Sequence, residues 1–395
     1  MSAAAASATA ISRNTTHTVR ILAAAAAALA AGCAAPPECP PAPAAVRFEA
    51  VPFEALPGWP GEGLGEALAA LVRGCARIGA QSPLAAACTA ARSVPPGDEA
   101  AARAYFESAF AAYAIAGPAG SEGLVTGYYE PVIAASLRRD AHHRHPVYGV
   151  PRDLVVVELA RQYPELARLR LRGRIEGGRL VPYWSRAEID SGALALDAPV
   201  LAWAADALEL FLLHVQGSGR LRLAEGGELR LAYAEQNGHP YRALGRHLVE
   251  QGELSAAEAT LPAIRAWARA RPERLAAALA ANPSYVFFRE RAEEAPVGTL
   301  GVPLSAGHSV AVDPAYVPLG APLYLESRDP LSGSAVRRIV IAQDTGGAIR
   351  GAVRVDLYVG SGEAAGEAAG RMRERGRLWL LWPRAAPPPA RAPAL

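Results

Sequence analysis

The sequence predicts a mainly β protein with α elements, in which a closed β-barrel is built from both ends of the folded chain and a mixed α/β domain is inserted in its middle. From about Val297 onward, short apolar runs are separated by Gly and Pro, which is typical of the strands of a small closed barrel. From about Asp140 to Pro283, helical runs alternate with short β-like segments. With 395 residues, the chain is long enough for two domains that each have a core.

The N-terminus has the pattern of an export signal. Arg13 and Arg20 precede an Ala/Leu run that ends at Ala31, and this run is too short to span a membrane. The following Gly32-Cys33 resembles a bacterial lipobox, so we expect residues 1–33 to be a lipoprotein signal peptide with Cys33 as the lipidated residue. An ordinary cleaved signal peptide is the alternative.

The remaining chain divides by composition into regions that differ in their expected structure. They are a Pro-rich tether over 34–46, a barrel domain over 47–135 and 285–384, an inserted domain over 136–284, and a disordered Pro/Ala-rich tail over 385–395.

Local patterns predict the elements in order. An early helix is expected over Leu64 to about Ile78, and a second over Asp98–Ala116, with Asp98 as its N-cap and Gly117-Pro118 as its stop. A strand follows over Gly123–Glu130. The inserted region predicts helices over Leu154–Leu166, Ala205–Val215, Tyr241–Glu250, Ala256–Ala270 and Pro272–Ala281, and strands over Arg220–Leu223 and Glu228–Tyr233. The C-terminal region predicts strands over Ser309–Val312, Pro322–Leu325, Val336–Ile341, Val353–Val359 and Leu378–Trp382, with a helix over Glu363–Glu374.

Charge and cysteine content limit the class of protein. The net charge of +2, without dense cationic clusters, argues against a nucleic-acid-binding protein. In an oxidising envelope Cys75 and Cys88 either form a disulfide or remain buried thiols, and the sequence leaves both open.

Three aspartates lie beside Gly or Pro turns at predicted strand ends: Asp313, Asp344 and Asp356. A small barrel can bring such residues together at one rim, where carboxylates suit acid–base chemistry on a polar substrate. Polar or aromatic side chains that suit sugar binding occur in two further segments, one with Tyr128 and Tyr129 and one with Gln216, Gly217 and Ser218. Strand tyrosines are also common in cores, and we expect one tyrosine of each kind.

Four segments, taken together, resemble the membrane-bound lytic murein transglycosylase A family over about Phe48 to Arg384. They are Gly127–Pro131, His214–Gly219, Asn282–Phe288 and the three-aspartate region. The resemblance implies a double-psi β-barrel domain, a second domain and a glycan groove between them. It also implies nonhydrolytic cleavage of the MurNAc–GlcNAc β-1,4 bond of peptidoglycan, which leaves 1,6-anhydroMurNAc ends and needs no cofactor or metal.

The resemblance also implies roles for individual residues. Asp356 matches the catalytic acid of the family. Asp344, at the catalytic centre, and Asp313 match its companions, which we interpret as orienting or site-shaping groups. The remaining expected substrate-binding residues are Tyr128, Tyr129, Gln216, Gly217, Ser218, Asp313, Thr345 and Gly346. Asp313, which precedes a proline, equally suits a turn-forming role.

One carboxyl group suffices for this reaction, whereas glycosidases generally need two. An acid protonates the leaving oxygen and then, as a base, accepts the proton of the C6 hydroxyl of the substrate, which attacks C1. Asp356 must therefore have a raised pKa, and its apolar neighbours favour this. Strand alternation places the cationic Arg354 on the same face, which would oppose the shift.

The expected partners follow from the same reading. They are peptidoglycan strands, the membrane through lipidated Cys33, and proteins of cell-wall synthesis or division, with the chain itself monomeric. Ala34 carries no acidic retention signal, which favours the periplasmic face of the outer membrane.

Other classes remain as alternatives. A barrel of this kind could be a wall-binding protein without catalysis. An aspartic protease would use two Asp-Thr/Ser-Gly turns, here at Asp344 and Asp190, but the two halves of the chain share no repeat. The histidines of His142–His145 lack neighbouring ligands at regular spacing, so a solvated loop is favoured over a metal site.

Overall fold

The computed structural model describes residues 46–159, 161–163, 166, 171–194 and 198–387. The predicted signal peptide, Cys33, the tether up to residue 45 and positions 388–395 of the predicted tail lie outside the described residues. Within the described part of the chain, no helix combines the length and apolarity needed to cross a membrane.

The elements follow the predicted alternation of helices and short strands. The helices are α1 Leu64–Gly74, α2 Ala85–Ala91, α3 Glu99–Ala109, α4 Arg186–Asp190, α5 Ala207–Gln216, α6 Leu244–Glu250, α7 Leu261–Ala270, α8 Pro272–Ala280 and α9 Gly362–Arg371. The strands are β1 Arg47–Val51, β2 Phe110–Ala116, β3 Glu122–Glu130, β4 Val132–Ser136, β5 His145–Tyr148, β6 Val155–Val156, β7 Arg172–Glu176, β8 Arg179–Pro182, β9 Val200–Ala204, β10 Ser218–Leu223, β11 Glu228–Gln236, β12 Val286–Glu290, β13 Ser309–Val312, β14 Pro322–Arg328, β15 Ala335–Thr345, β16 Arg354–Ser361 and β17 Arg373–Pro383.

Six strands close into a barrel, as the sequence predicted. They are ordered β17-β14-β15-β13-β16-β3, and β3 pairs again with β17. Residues that lie opposite one another on neighbouring strands point to the same face of the sheet. Two such pairs, Val310 with Leu357 and Leu323 with Val340, are buried in one apolar core. Because successive strand residues point to opposite faces, Asp356 lies outside the barrel, next to the inward Leu357.

A second sheet forms the inserted region, with the order β12-β11-β10-β4-β9-β5. Its first strand in sequence, β4, begins directly after Pro131, and its last, β12, ends at Glu290. From these strand pairings we propose boundaries of the inserted region near 131 and 291, in place of the expected 136 and 284.

Several predicted helices are shorter than expected, most clearly the one predicted over Asp98–Ala116. Asp98 accepts a hydrogen bond from Ala101 N at 2.9 Å and caps α3, as predicted, but the helix ends at Ala109. The next seven residues form β2, which pairs with both β1 and β17. Pairing with β1 and β17, which are distant in sequence, makes this segment a strand, because an Ala-rich segment has no strong local preference for strand. Val155 and Val156, predicted to lie in the helix Leu154–Leu166, instead form strand β6, because they are β-branched and pair with β7.

The two cysteines are bonded to each other, which settles the alternative that the sequence left open. Cys75 follows α1 and joins Cys88 in α2, with a Cα–Cα distance of 5.4 Å. Both residues are buried against the barrel core. At the other end of the chain, Trp382 Nε1 donates to the carbonyl of Pro387 at 2.8 Å, so residue 387, which was predicted to belong to the tail, is bonded to strand β17.

Candidate active site

Asp356 is positioned by two parallel barrel strands. The register of β16 and β3 places Asp356 beside Thr126 and Tyr358 beside Tyr128. Thr126 Oγ1 donates a hydrogen bond of 2.5 Å to Asp356 Oδ1. The carboxyl group is thereby fixed on the outer barrel face, where a bound molecule can reach it.

The surroundings of Asp356 raise its pKa. Desolvation among protein atoms is the main cause, and the negative charge of Asp344 acts in the same direction, whereas the Thr126 hydrogen bond and the Arg354 charge oppose it. The Arg354 guanidinium donates to the backbone carbonyls of Leu124 and Val355. The opposition anticipated from strand alternation is therefore real but smaller than desolvation, and Asp356 keeps its proton to a higher pH than an ordinary aspartate.

Asp344, near the end of β15, accepts several hydrogen bonds. Its Oδ1 accepts from Thr299 N at 2.9 Å, from Thr299 Oγ1 at 2.8 Å and from Thr345 N at 2.9 Å. Its Oδ2 accepts from the Tyr128 hydroxyl at 3.0 Å. These donors lower the pKa of Asp344, but desolvation outweighs them and the pKa is raised. With both oxygens committed to fixed donors, Asp344 suits an orienting role better than proton shuttling.

The turn after Asp344 contains two of the predicted site residues. Thr345 Oγ1 lies 2.9 Å from Thr299 Oγ1, and Gly346 O accepts from Ile349 N at 3.0 Å. A Cβ atom at Gly346 would lie 2.7 Å from Ile349 Cγ1, so a larger residue there would displace the Ile349 side chain. Both residues border Asp344, and their contact with substrate stays a prediction.

Asp313 organises the loop that links Asp344 to Asp356. The side chain is buried; Oδ1 accepts from Ala315 N at 3.1 Å and Oδ2 accepts from Gly351 N at 2.8 Å. Gly351 has φ +110°, a conformation that favours glycine. These contacts match the turn-forming role considered for Asp313, and the predicted substrate contact remains untested.

The two tyrosines of β3 lie on opposite faces of the strand. Tyr128 is half-buried beside the carboxylates, and its ring centroid lies 5.4 Å from that of Tyr358. Tyr129 is 4% exposed, packs on Gly366, and has its hydroxyl 3.3 Å from Arg265 Nη2. The burial of Tyr129 favours a structural role for it, and the predicted substrate contacts of both tyrosines stay predictions.

Helix α5 carries Gln216 to the barrel. Asp206 begins the helix by accepting from Leu208 N at 2.7 Å, and Gly217, with φ +77°, ends it. Gln216 Oε1 accepts from Tyr129 N at 3.1 Å. The inserted region is thus bonded to the strand that carries Thr126 and Tyr128, while the half-buried Gly217 and Ser218 follow directly.

Sequence reasoning missed Thr126 and Thr299. Alternation along β3 places Thr126 on the same face as Tyr128, so this pattern could have identified it. Thr299 lies in a loop whose sequence carries no signal, and its approach to Asp344 depends on the tertiary fold.

The arrangement gives little support to the alternative sites. Asp190 ends helix α4, so it does not form the strand-end turn that a protease pair requires. In the histidine segment His142–His145, His143 Nδ1 lies within hydrogen-bonding distance of Asp140 Oδ2, at 2.9 Å. Among the residues that the structure describes, no group of three or more His, Cys, Asp or Glu side chains could hold a metal ion.

Known proteins match this chain in both regions. A model of the MltA specific insert domain matches residues 124–289, and a model of the 3D domain matches residues 308–382. The membrane-bound lytic murein transglycosylase A of Escherichia coli strain K12 is 35% identical over 263 residues, which are 65% of this chain and 64% of that protein. The match therefore spans slightly less than two thirds of this relative.

Solved structures share the fold over most of their length. MltA from Neisseria gonorrhoeae, in a monoclinic crystal form, has a TM-score of 0.77 and 38% identity, covering 88% of this chain and 95% of that one. The MltA of E. coli with bound chitohexaose has a TM-score of 0.66 and 28% identity, covering 86% of this chain and 95% of that one.

Proposed function

The chain belongs to the membrane-bound lytic murein transglycosylase A family, and we propose that it cleaves the MurNAc–GlcNAc β-1,4 bond of peptidoglycan without water. The product carries a 1,6-anhydroMurNAc end. The observation that carries this proposal is the pairing of a desolvated Asp356, which has a raised pKa, with an Asp344 whose oxygens are already occupied. One carboxyl group is thus free to transfer protons, and the second is fixed.

Asp356 acts first as an acid. Its raised pKa keeps the carboxyl group protonated at a pH where an ordinary aspartate, with a pKa of about 3.9, is ionised. It donates this proton to the glycosidic oxygen as the bond to C1 breaks, and positive charge develops on the ring.

Asp356, now ionised, then acts as a base. It accepts the proton of the C6 hydroxyl of the same MurNAc residue as that oxygen forms a bond to C1. The nucleophile is tethered to the reacting ring, so no water needs to be bound and activated. The proton returns to Asp356, and the residue is ready for another cycle.

Asp344 supports this cycle without exchanging protons. Its charge raises the pKa of Asp356, and its Oδ2 holds the Tyr128 hydroxyl. In this proposal the residues that contact the glycan are Tyr128, Gln216, Ser218, Thr345 and Gly346. The chitohexaose bound to the E. coli relative supports a sugar polymer as the ligand class.

The site of action is the cell envelope. Gly32-Cys33 after the apolar run supports export and lipidation of Cys33, and the name "membrane-bound" of the E. coli relative is in line with this. We place the protein on the periplasmic face of the outer membrane as a monomer, where cell-wall synthesis or division proteins are its expected partners.

The function is tested by Asp356→Asn on purified sacculi. Asparagine still accepts from Thr126 but cannot donate and recover a proton, so release of anhydro products should fall by about 10²–10⁴-fold. Binding of chitohexaose and the melting temperature should stay unchanged. A variant that retains the wild-type rate contradicts the proposal, and a wild-type protein that binds glycan without releasing products would instead be a wall-binding protein.

A further inference from the structure

A fully buried carboxylate, that of Glu130 at the end of β3, lies at the centre of an ion cluster. The Glu130 side chain is 0% exposed. Its Oε2 accepts from Arg220 Nε at 2.9 Å and from Ser361 Oγ at 2.6 Å, and its Oε1 accepts from Arg291 Nη2. The carboxylate therefore binds three donors that come from three different strands or strand ends.

The donors join the two regions of the fold. Arg220 lies on β10 and Arg291 directly follows β12, so both arginines belong to the inserted sheet, whereas Ser361 ends the barrel strand β16. The arginines also donate to loop carbonyls: Arg220 Nη2 to Glu294 O at 3.0 Å, and Arg291 Nη1 to Ala295 O at 2.9 Å. The barrel and the inserted sheet are thus tied together at one carboxylate.

The same pair of strands carries the catalytic carboxyl group. Along the β3–β16 register, Thr126 lies beside Asp356, Tyr128 beside Tyr358, and Glu130 beside Ser361. The register shifts between Tyr358 and Gly360, so the regular ladder is interrupted before it reaches Ser361. The pairing resumes at Gly360 and Ser361, and the Glu130–Ser361 hydrogen bond adds a side-chain link between the two strands beyond this irregularity.

Contacts connect Ser361 back to the carboxylates. The Tyr358 hydroxyl lies 3.2 Å from Ser361 Oγ, and the Tyr358 ring lies against that of Tyr128. Tyr128 in turn donates to Asp344. A displacement of Ser361 would therefore move Tyr358 and Tyr128. Through the Tyr128 hydrogen bond it would also move Asp344, whose charge contributes to the raised pKa of Asp356.

We propose that Glu130 is a positioning residue for the reaction, which acts through Ser361 and Tyr358 on Tyr128 and the two catalytic carboxylates. This inference rests on the proposed function. A buried ion cluster contributes little net stability compared with apolar packing, because each charge loses its hydration. Its fixed hydrogen-bond geometry instead defines how β16 and the inserted sheet lie relative to β3.

Ser361→Ala tests the proposal with little risk to folding. Ser361 is itself exposed, so loss of its hydroxyl leaves no buried cavity, and both arginines keep their bonds to Glu130. Ser361→Thr keeps a hydroxyl and serves as the rescue variant. Ser327→Ala is the matched control, since Ser327 Oγ donates to Arg375 O at 3.1 Å elsewhere in the barrel.

We expect Ser361→Ala to lower kcat on purified sacculi about tenfold, which corresponds to about 1.4 kcal/mol of transition-state stabilisation, because Tyr358 and Tyr128 would no longer hold the carboxylates in place. KM and the melting temperature should stay at wild-type values. Looser packing of Tyr358 and Tyr128 would let water reach Asp356 and weaken the desolvation that raises its pKa. The fall of kcat with rising pH should therefore move to lower pH. Ser361→Thr should restore both properties, and Ser327→Ala should change neither.

The outcomes separate the inference from the proposed function. A wild-type protein that releases no anhydro products overturns the function itself. If the wild type is active and Ser361→Ala has the same kcat and pH profile, the positioning role is overturned and the proposed function is not. Equal losses of rate in Ser361→Ala and Ser327→Ala would likewise assign the effect to general weakening of the barrel and reject the inference.

Discussion

Tyr128 donates a hydrogen bond of 3.0 Å to Asp344 Oδ2, although the two residues are 216 positions apart in the chain. The bond joins a strand that precedes the inserted region to one that follows it. Since Thr126, on the same face of β3, bonds to Asp356, one strand positions both carboxylates. The inserted region therefore lies between these two strands in the sequence, although their side chains are in contact in the barrel.

Asp344→Asn should shift the pH dependence of the reaction. The charge of Asp344 raises the pKa of Asp356, so its removal lowers that pKa. The acid form of Asp356 is then lost at a lower pH, and the fall of kcat with rising pH should move in the same direction. Asp329→Asn, in a turn held by Ser332, is the control and should leave the profile unchanged. A profile that stays in place or moves to higher pH would contradict the assignment of Asp344.

Two substitutions of Gln216 separate its structural role from its binding role. Gln216→Ala removes the acceptor for Tyr129 N, and an unpaired backbone donor should lower the free energy of unfolding by about 1–3 kcal/mol. Gln216→Glu keeps an acceptor oxygen but loses the amide N–H donors. It should therefore weaken chitohexaose binding, measured calorimetrically, without changing the melting temperature.

The exposed Gln81 provides the control for charge, because Gln81→Glu makes the same chemical change between α1 and α2. If Gln216→Glu binds as tightly as both the wild type and this control, Gln216 has no role in sugar binding.

Much of the site could be predicted from sequence, because the strand-end aspartates and glycine turns are local signals. Asp356, Asp344 and the barrel strands around them were expected at their observed positions. The strand β2 was not, since Phe110–Ala116 takes its conformation from β1 and β17. The burial of Tyr129 and the approach of Thr299 to Asp344 likewise depend on contacts between residues far apart in sequence, which a periodicity argument does not detect.

The Cys75–Cys88 bond should stabilise the barrel without affecting its chemistry. The two cysteines are 13 residues apart, and a loop of this size restricts the unfolded chain by about 2–3 kcal/mol. The double variant Cys75→Ser/Cys88→Ser should lose that much in denaturant unfolding and release the same products. A reductant should bring the wild type to the level of the variant and leave the variant unaffected; equal stability of both oxidised proteins would be the contrary result.

Cys33→Ser should release the protein from the membrane. Lipidation requires the thiol, and the remaining chain keeps its whole barrel and inserted region. Cell fractionation should find the variant in the soluble periplasmic fraction, with the melting temperature of its folded part unchanged. Cys39→Ser, in the Pro-rich tether that follows Cys33, is the matched control and should stay with the membrane. Continued membrane association of the Cys33 variant would reject the lipid anchor.

The central claim is that the C6 hydroxyl of the substrate, and not water, attacks C1. Digestion of purified sacculi in water labelled with heavy oxygen, followed by mass spectrometry of the products, tests it directly. The mechanism predicts 1,6-anhydroMurNAc ends that carry no label, because Asp356 returns the proton of an internal hydroxyl. Reducing MurNAc ends that carry the label would show that water attacks and that a second carboxylate such as Asp344 takes part, and the protein would then be a hydrolase.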